Sequence, residues 1–163
     1  MNILSIDTST AVLSIALKTD KTYEERVVIG NFAHSENLLP EIKSLLSRAG
    51  LTLKDLQLLI CTKGPGSFTG LRVGMASLKG ISLGSGAPLV SVPTLSVIDE
   101  AASLWKGPRL AVIDARKKKF YFRLTNGDEV LLDDRDGNPE DIKEAVTALS
   151  QPVLVTGPDA VLF

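Results

Sequence analysis

The stretch Lys63–Gly84, KGPGSFTGLRVGMASLKGISLG, directly follows the apolar run Leu56–Cys61. It reads as a strand, a Gly-Pro-Gly turn and a helix. Leu71, Met75 and Leu78, and likewise Phe68, Arg72 and Met75, recur at helical spacing. That order aims backbone N–H groups at a helix N-terminus, which suits an anion or a phosphate. Gly70, Gly74, Gly80 and Gly84 fall inside the helix, where each costs about 1 kcal/mol relative to alanine. Something must offset them. Gly66, Gly70 and Gly74 are four apart and are expected to share one helix face, where a missing side chain lets another backbone come close. Two readings stand: this face packs against the protein's own sheet, or it docks onto another helix, in this protein or in a partner.

Around this stretch lie 163 residues, enough for a sizeable core in one domain or two small lobes. Hydrophobic residues at 44% and charged ones at 23% are the balance of a soluble globular protein. No apolar run approaches the ~18 residues of a membrane-spanning helix. The opening MNILSID reads as a strand rather than a signal peptide. Cys61, the sole cysteine, sits in an apolar strand and reads as a small buried hydrophobe, which fits a reducing cytoplasm. A net charge of −1 argues against a stand-alone nucleic-acid binder and leaves a local basic patch open.

Before the glycine stretch, residues 2–7, 12–17 and 23–29 read as a three-stranded meander, and 31–35 as a loop. Ser35 is the expected N-cap of a helix with Glu36 in its first turn and Pro40 early in its course. Leu38, Leu39, Ile42, Leu45, Leu46 and Ala49 recur at helical spacing up to a Gly50 stop. After the glycine helix come a strand near 89–91 and a helix from 94 to about 105. Gly107-Pro108 then marks a boundary, and the pattern restarts. Leu4–Asp7 (LSID) aligns with Ala111–Asp114 (AVID) at an offset of 107. At the same offset Leu13, Ile15 and Leu17 fall on Phe120, Phe122 and Leu124. An Asn126-Gly127-Asp128 turn, a strand at 129–132, a helix at 139–149 and a strand at 153–155 complete the second set. Its closing Thr156-Gly157-Pro158 echoes Thr62-Lys63-Gly64-Pro65. Two tandem βββαβ units imply a duplicated α/β fold of the actin-like ATPase, ribonuclease H-like kind. The expected lobes are 1–106 and 107–163, the second stopping where its long helix should begin, either naturally short or truncated.

In that plan an aspartate hairpin from each lobe holds a metal and nucleotide phosphates. Asp7, Thr8 and Ser9, with Gly64 and Gly66, form the candidate nucleotide-binding set. The opposing Asp114-Ala115-Arg116-Lys117 lacks glycines that would let phosphates approach. Asp7 has a second reading, as the cap of its own tight turn. His34 has no second histidine, CxxC or paired carboxylate at ligand spacing, so no metal site is expected. Ser67 resembles a nucleophile elbow but has no base in its own unit, so no catalytic residue is assigned. The run Arg116–Phe122 is basic and aromatic. It reads as an RNA-gripping segment or, by its period-two alternation, as a solvated hairpin tip leading into core phenylalanines.

MNILSIDTST, His34–Ile42 (HSENLLPEI) and Gly64–Gly74 (GPGSFTGLRVG) together resemble the TsaB/YeaZ family. Its members are bacterial accessory proteins in making threonylcarbamoyladenosine at position 37 of tRNAs that read codons starting with A. The resemblance implies a cytoplasmic, non-catalytic scaffold. Its helices, here Ser35–Ala49 and Ser67–Leu83, pair with the catalytic relative TsaD, or with a second copy when TsaD is absent. The partner-facing residues implied are Leu38, Leu39, Ile42, Leu45, Gly70, Leu71, Val73, Gly74 and Ser77. The family picture adds TsaE, with ATP or ADP and magnesium at the complex boundary rather than on this chain alone. It implies tRNA contact that is indirect or weak, and no membrane. TsaD carries a His-x-x-x-His metal motif; here only His34 is present. The competing readings are a free-standing actin-like ATPase or kinase, and a peptidase, after the family's glycoprotease-like label.

Overall fold

The computed structural model describes residues 1–29 and 34–162. Positions 31–33 of the expected loop, and Phe163, lie outside the described residues. The chain divides into two compact units, Met1–Val92 and Pro93–Phe163.

In the first unit, β1 (Ile3–Asp7), β2 (Val12–Lys18) and β3 (Tyr23–Ile29) form the meander, followed by α1 (His34–Arg48), β4 (Leu58–Thr62), α2 (Phe68–Ser85) and β5 (Leu89–Val92). The sheet order is β3-β2-β1-β4-β5. β1 runs antiparallel to β2 and parallel to β4. Alternation along the strands turns Leu4, Ile6, Leu13, Ile15 and Leu17 to one face, where they pack with Leu38, Ile42, Leu45 and Leu46 of α1 and Leu78 and Ile81 of α2. Full burial of each such side chain is worth roughly 1.5–3 kcal/mol, which makes this cluster the unit's main source of stability. The helix start differs from expectation: α1 already includes His34, so Ser35 sits exposed in the first turn and is not the cap. Pro40 is carried inside α1 at an exposed position. Gly50, with φ +67°, ends the helix as expected, and Leu51 N–H returns to Leu46 C=O.

The second unit holds α3 (Thr94–Ala101), β6 (Pro108–Arg116), β7 (Lys119–Asn126), β8 (Glu129–Gly137), α4 (Pro139–Thr147) and β9 (Leu154–Thr156). Its sheet order, β8-β7-β6-β9, repeats the first unit's, again with an antiparallel hairpin and a parallel last neighbour. The division falls before α3 rather than at Gly107-Pro108. The reason is packing: Leu95 and Ile98 of α3 lie against Ala111, Ile113 and Tyr121. On the other face Ile142 of α4 joins Leu110, Val112, Phe120, Phe122 and Leu124.

The duplication stands, but its register in the first strand is shifted by one residue. The pair Ile6↔Ile15 corresponds to Val112↔Phe122, and Leu4↔Leu17 to Leu110↔Leu124. Phe120, Phe122 and Leu124 are the inward set, as the offset of 107 requires, whereas Ala111 faces α3. A bulge between Asp114 and Arg116 absorbs the additional residue. β8 also runs five residues beyond the expected Leu132. Its charged end is held to β7 by Arg123 paired with Asp133 and Asp134 and by Lys119 paired with Asp136.

Candidate functional site

The first aspartate turn is closed by the glycine stretch. Asp7 Oδ1 accepts hydrogen bonds from Ser9 N–H (2.8 Å) and Thr62 Oγ1 (2.8 Å), so Asp7 caps its own turn and ties it to β4. Ser67 is the N-cap of α2, its hydroxyl accepting from Gly70 N–H at 3.2 Å, and its own N–H donates to Ser9 C=O at 2.6 Å. The nucleophile-elbow serine is therefore engaged as a cap. A Cβ at Gly66 would overlap the Ser9 carbonyl oxygen, one at Gly70 the Thr8 carbonyl oxygen, and one at Gly74 the Thr8 hydroxyl. Three missing side chains thus seat the helix directly on the β1–β2 turn. Of the two readings of this glycine face, the structure selects packing within the unit. Gly66 itself precedes the helix rather than stacking inside it.

His34 closes the turn from another side. It is buried, and its Nε2 lies 2.7 Å from the Thr10 carbonyl oxygen, which assigns the ring proton there to Nε2. Cys61 is buried beside Met75, Sγ to Sδ 3.8 Å, and burial pushes its thiol pKa up. Among the described residues no group of three or more His, Cys, Asp or Glu is placed to hold a metal ion.

The structure brings Asp7, Thr8, Ser9 and Gly66 of the nucleotide-binding set together, but Thr8 is only 2% and Ser9 1% exposed. Asp7 Oδ1 already carries two protein bonds. Gly64 (φ +104°) lies against Leu71 Cδ1. A nucleotide phosphate does not fit a turn whose hydroxyl-bearing residues are covered by their own helix.

The nine partner-facing candidates divide. Leu38, Ile42 and Leu45 are in the core, and Gly70 and Gly74 are buried on the turn. Leu39 is 54% exposed, and Leu71, Val73 and Ser77 are half-buried. The outward flank of α2 carries small residues that the partner-facing set did not include: Ala76, Gly80 and Gly84, four apart and exposed. A Cβ at Gly80 or Gly84 would meet nothing within 4 Å. Phe68 at 74% and Leu83 at 90% exposure were also missed. The usable signal was the stripe Gly70-Gly74-Leu78-Ile81, which leaves these positions on other faces.

The second aspartate turn is built alike and finished differently. Asp114 Oδ1 accepts Arg116 N–H at 2.6 Å, the counterpart of Asp7 and Ser9, and Asp114 N–H donates to Asp159 Oδ2 at 2.8 Å. Among the described residues of this unit no α-helix covers the turn, and β6 runs into an exposed hairpin tip. Arg116, Lys117 and Lys118 have φ of 64°, 53° and 62°. The hairpin's twist favours positive φ at Lys117 and Lys118, positions usually given to Asn and Gly. Side-chain-bearing residues held there cost roughly 1–3 kcal/mol each. Phe120 and Phe122 are buried in the core, as the alternating reading requires.

α3 is latched by a buried ion pair. Arg109 Nε and Nη2 donate to the two Asp99 oxygens at 2.8 and 3.1 Å, and Thr125 Oγ1 donates to Asp99 Oδ1 at 2.7 Å. Arg109 also donates to the carbonyls of Trp105 and Gly127. Burial pushes the Asp99 carboxyl up, but the bonds from Arg109 and Thr125 outweigh it and hold it below the usual carboxylate range.

Two units of this strand order, each opening on an aspartate-capped hairpin, define the duplicated α/β class of actin-like, ribonuclease H-like proteins. YeaZ from Pseudomonas aeruginosa superposes with a TM-score of 0.77 at 26% identity, covering 85% of this chain and 68% of its own. The family model described as TsaD: tRNA N6-adenosine threonylcarbamoyltransferase matches residues 29–150. The tRNA threonylcarbamoyladenosine biosynthesis protein TsaB of Bacillus subtilis is 30% identical over 99% of this chain and 73% of its own length. The Escherichia coli protein of the same name is 36% identical over 79% of this chain and 57% of its own length. The chain belongs to the TsaB/YeaZ family. It spans little more than half the length of the Escherichia coli and Haemophilus influenzae relatives, 57% and 52%.

Proposed function

We propose that this chain acts in tRNA threonylcarbamoyladenosine biosynthesis as a non-catalytic subunit that pairs with TsaD. The observation that carries this reading is the 30% identity to a TsaB protein along nearly the whole chain. Supporting it, the residues that could have served chemistry are engaged structurally. Asp7 and Ser67 cap turns, and His34 bonds a backbone carbonyl. The pairing surface is the outward flank of α2, with Val73, Ser77, Ala76, Gly80 and Gly84, together with the exposed Leu39 of α1. Small residues four apart let a partner helix approach closely. The same face serves a homodimer when TsaD is absent. TsaE joins the heterodimer, and the product is the modified adenosine at position 37 of tRNA.

The test is co-purification of this chain with TsaD and TsaE from the same organism, followed by threonylcarbamoyl transfer to tRNA with and without it. Transfer that depends on this chain supports the reading; equal transfer without it removes it. Gly80→Leu is expected to block pairing with TsaD while the chain stays folded, its unfolding midpoint unchanged or raised. Undiminished pairing would move the interface off this flank.

A further inference from the structure

We propose that the Arg116-Lys117-Lys118 hairpin tip is a contact for the phosphate backbone of tRNA, an inference that rests on the tRNA-modification reading above. Three observations carry it. All three side chains are exposed, and among the described residues none forms an ion pair, whereas Lys119 and Arg123 further along β7 are each paired to β8 carboxylates. The three cations occupy consecutive backbone positions with φ of 64°, 53° and 62°, where glycine or asparagine would sit without strain. Finally, the carboxylates at the foot of the tip bond backbone rather than the cations: Asp114 takes the Arg116 N–H and Asp159 the Asp114 N–H. The tip therefore presents three exposed cations without an ion pair, on a hairpin whose aromatic neighbours Phe120 and Phe122 are buried. With Phe120 and Phe122 buried and Tyr121 packed against Ala111 and Ile113, recognition rests on phosphates rather than bases.

A lipid surface is a poorer occupant. The tip is three residues wide and lacks an exposed apolar side chain to insert among lipid tails. Three phosphate contacts give weak affinity alone, so the tip acts as an auxiliary grip within a larger complex.

The variant that isolates the charge is Arg116→Asn with Lys117→Asn and Lys118→Gly, which supplies residues that a tight hairpin prefers. The complex of the full chain with TsaD, and the isolated chain, are titrated with an unmodified tRNA transcript between 50 and 200 mM salt. The expected result is about tenfold weaker binding near 0.1 M salt and a log–log salt slope shallower by about 2. Thermal stability should be equal or higher. Unchanged tRNA affinity and slope would overturn the inference, as would ATP binding lost with tRNA binding intact, which would assign the tip to nucleotide phosphates. The two proposals fail separately. A complex that forms and transfers normally with unaltered tRNA affinity refutes only the hairpin. Transfer that proceeds without this chain refutes the function, while the titration of the isolated chain still decides the hairpin.

Discussion

The two aspartate turns share a capping bond and end in opposite states. Asp7 folds its carboxylate onto Ser9 N–H, and a glycine helix then seals the turn from solvent. Asp114 folds onto Arg116 N–H, and the chain continues into an exposed basic tip. The same local device therefore fixes a backbone in either setting, and the segment placed over it decides whether the turn is interior or surface. In the first unit the cost of several glycines in α2 is offset by the close approach they permit. In the second, strained positive φ values are retained beneath three cations.

The largest expected effect tests what stabilises the second unit in place of a glycine seal. Arg109→Met leaves Asp99 buried without its partner and is expected to cost about 3–5 kcal/mol, read by urea unfolding. A loss below 1 kcal/mol would show that the latch is dispensable. The pH dependence has a definite sign. Asp99 is held below its ordinary range when folded, so its contribution is full above the unfolded carboxylate pKa and is lost as the pH falls through the folded value. Acid titration of stability should show this loss in the wild type and not in Asp99→Asn.

Next is Gly70→Ala, which drives a Cβ into the Thr8 carbonyl oxygen and should cost about 3 kcal/mol. A neutral result would mean that the helix can lift off the turn, erasing the contrast between the two hairpins. Asp7→Ala removes the acceptor of two hydrogen bonds, and Asp114→Ala that of one at an exposed site. Expected losses are about 1–3 and about 1 kcal/mol. Equal losses would place both turns in the same class. Smallest is Gly80→Ala, on the open flank of the same helix. It should stabilise by up to about 1 kcal/mol, and a loss would show that this flank is already covered.

Much of the fold was legible because period-two and helical patterns agree with the topology. β3 at Tyr23–Ile29 follows as the third strand of the meander, and the inward Phe120, Phe122 and Leu124 follow from alternation. The charged end of β8 was not legible, since Asp133 to Asp136 hide a strand that cross-strand ion pairs hold. Nor was the membership of α3, which depends on a buried Asp99–Arg109 pair ten residues apart in sequence. For the candidate site, the sequence grouped Gly66, Gly70 and Gly74 on one helix face, whereas Gly66 precedes α2. Gly70 and Gly74 face the β1–β2 turn and Gly80 and Gly84 face open space, and the spacing of four within each pair does not say what lies opposite. The hydrophobic period likewise named Leu38, Ile42 and Leu45 without saying whether a core or a partner would receive them.

The latch also dictates where the polypeptide can be divided for expression in pieces. A fragment beginning at Pro108 would be stripped of α3, baring Ala111 and Ile113 to water and leaving the Arg109 guanidinium without its carboxylate. Such a fragment is a candidate for aggregation. A fragment beginning at Pro93 keeps that helix and its ion pair together, so the informative scissor point lies fourteen residues upstream of the Gly107-Pro108 punctuation, between Val92 and Pro93.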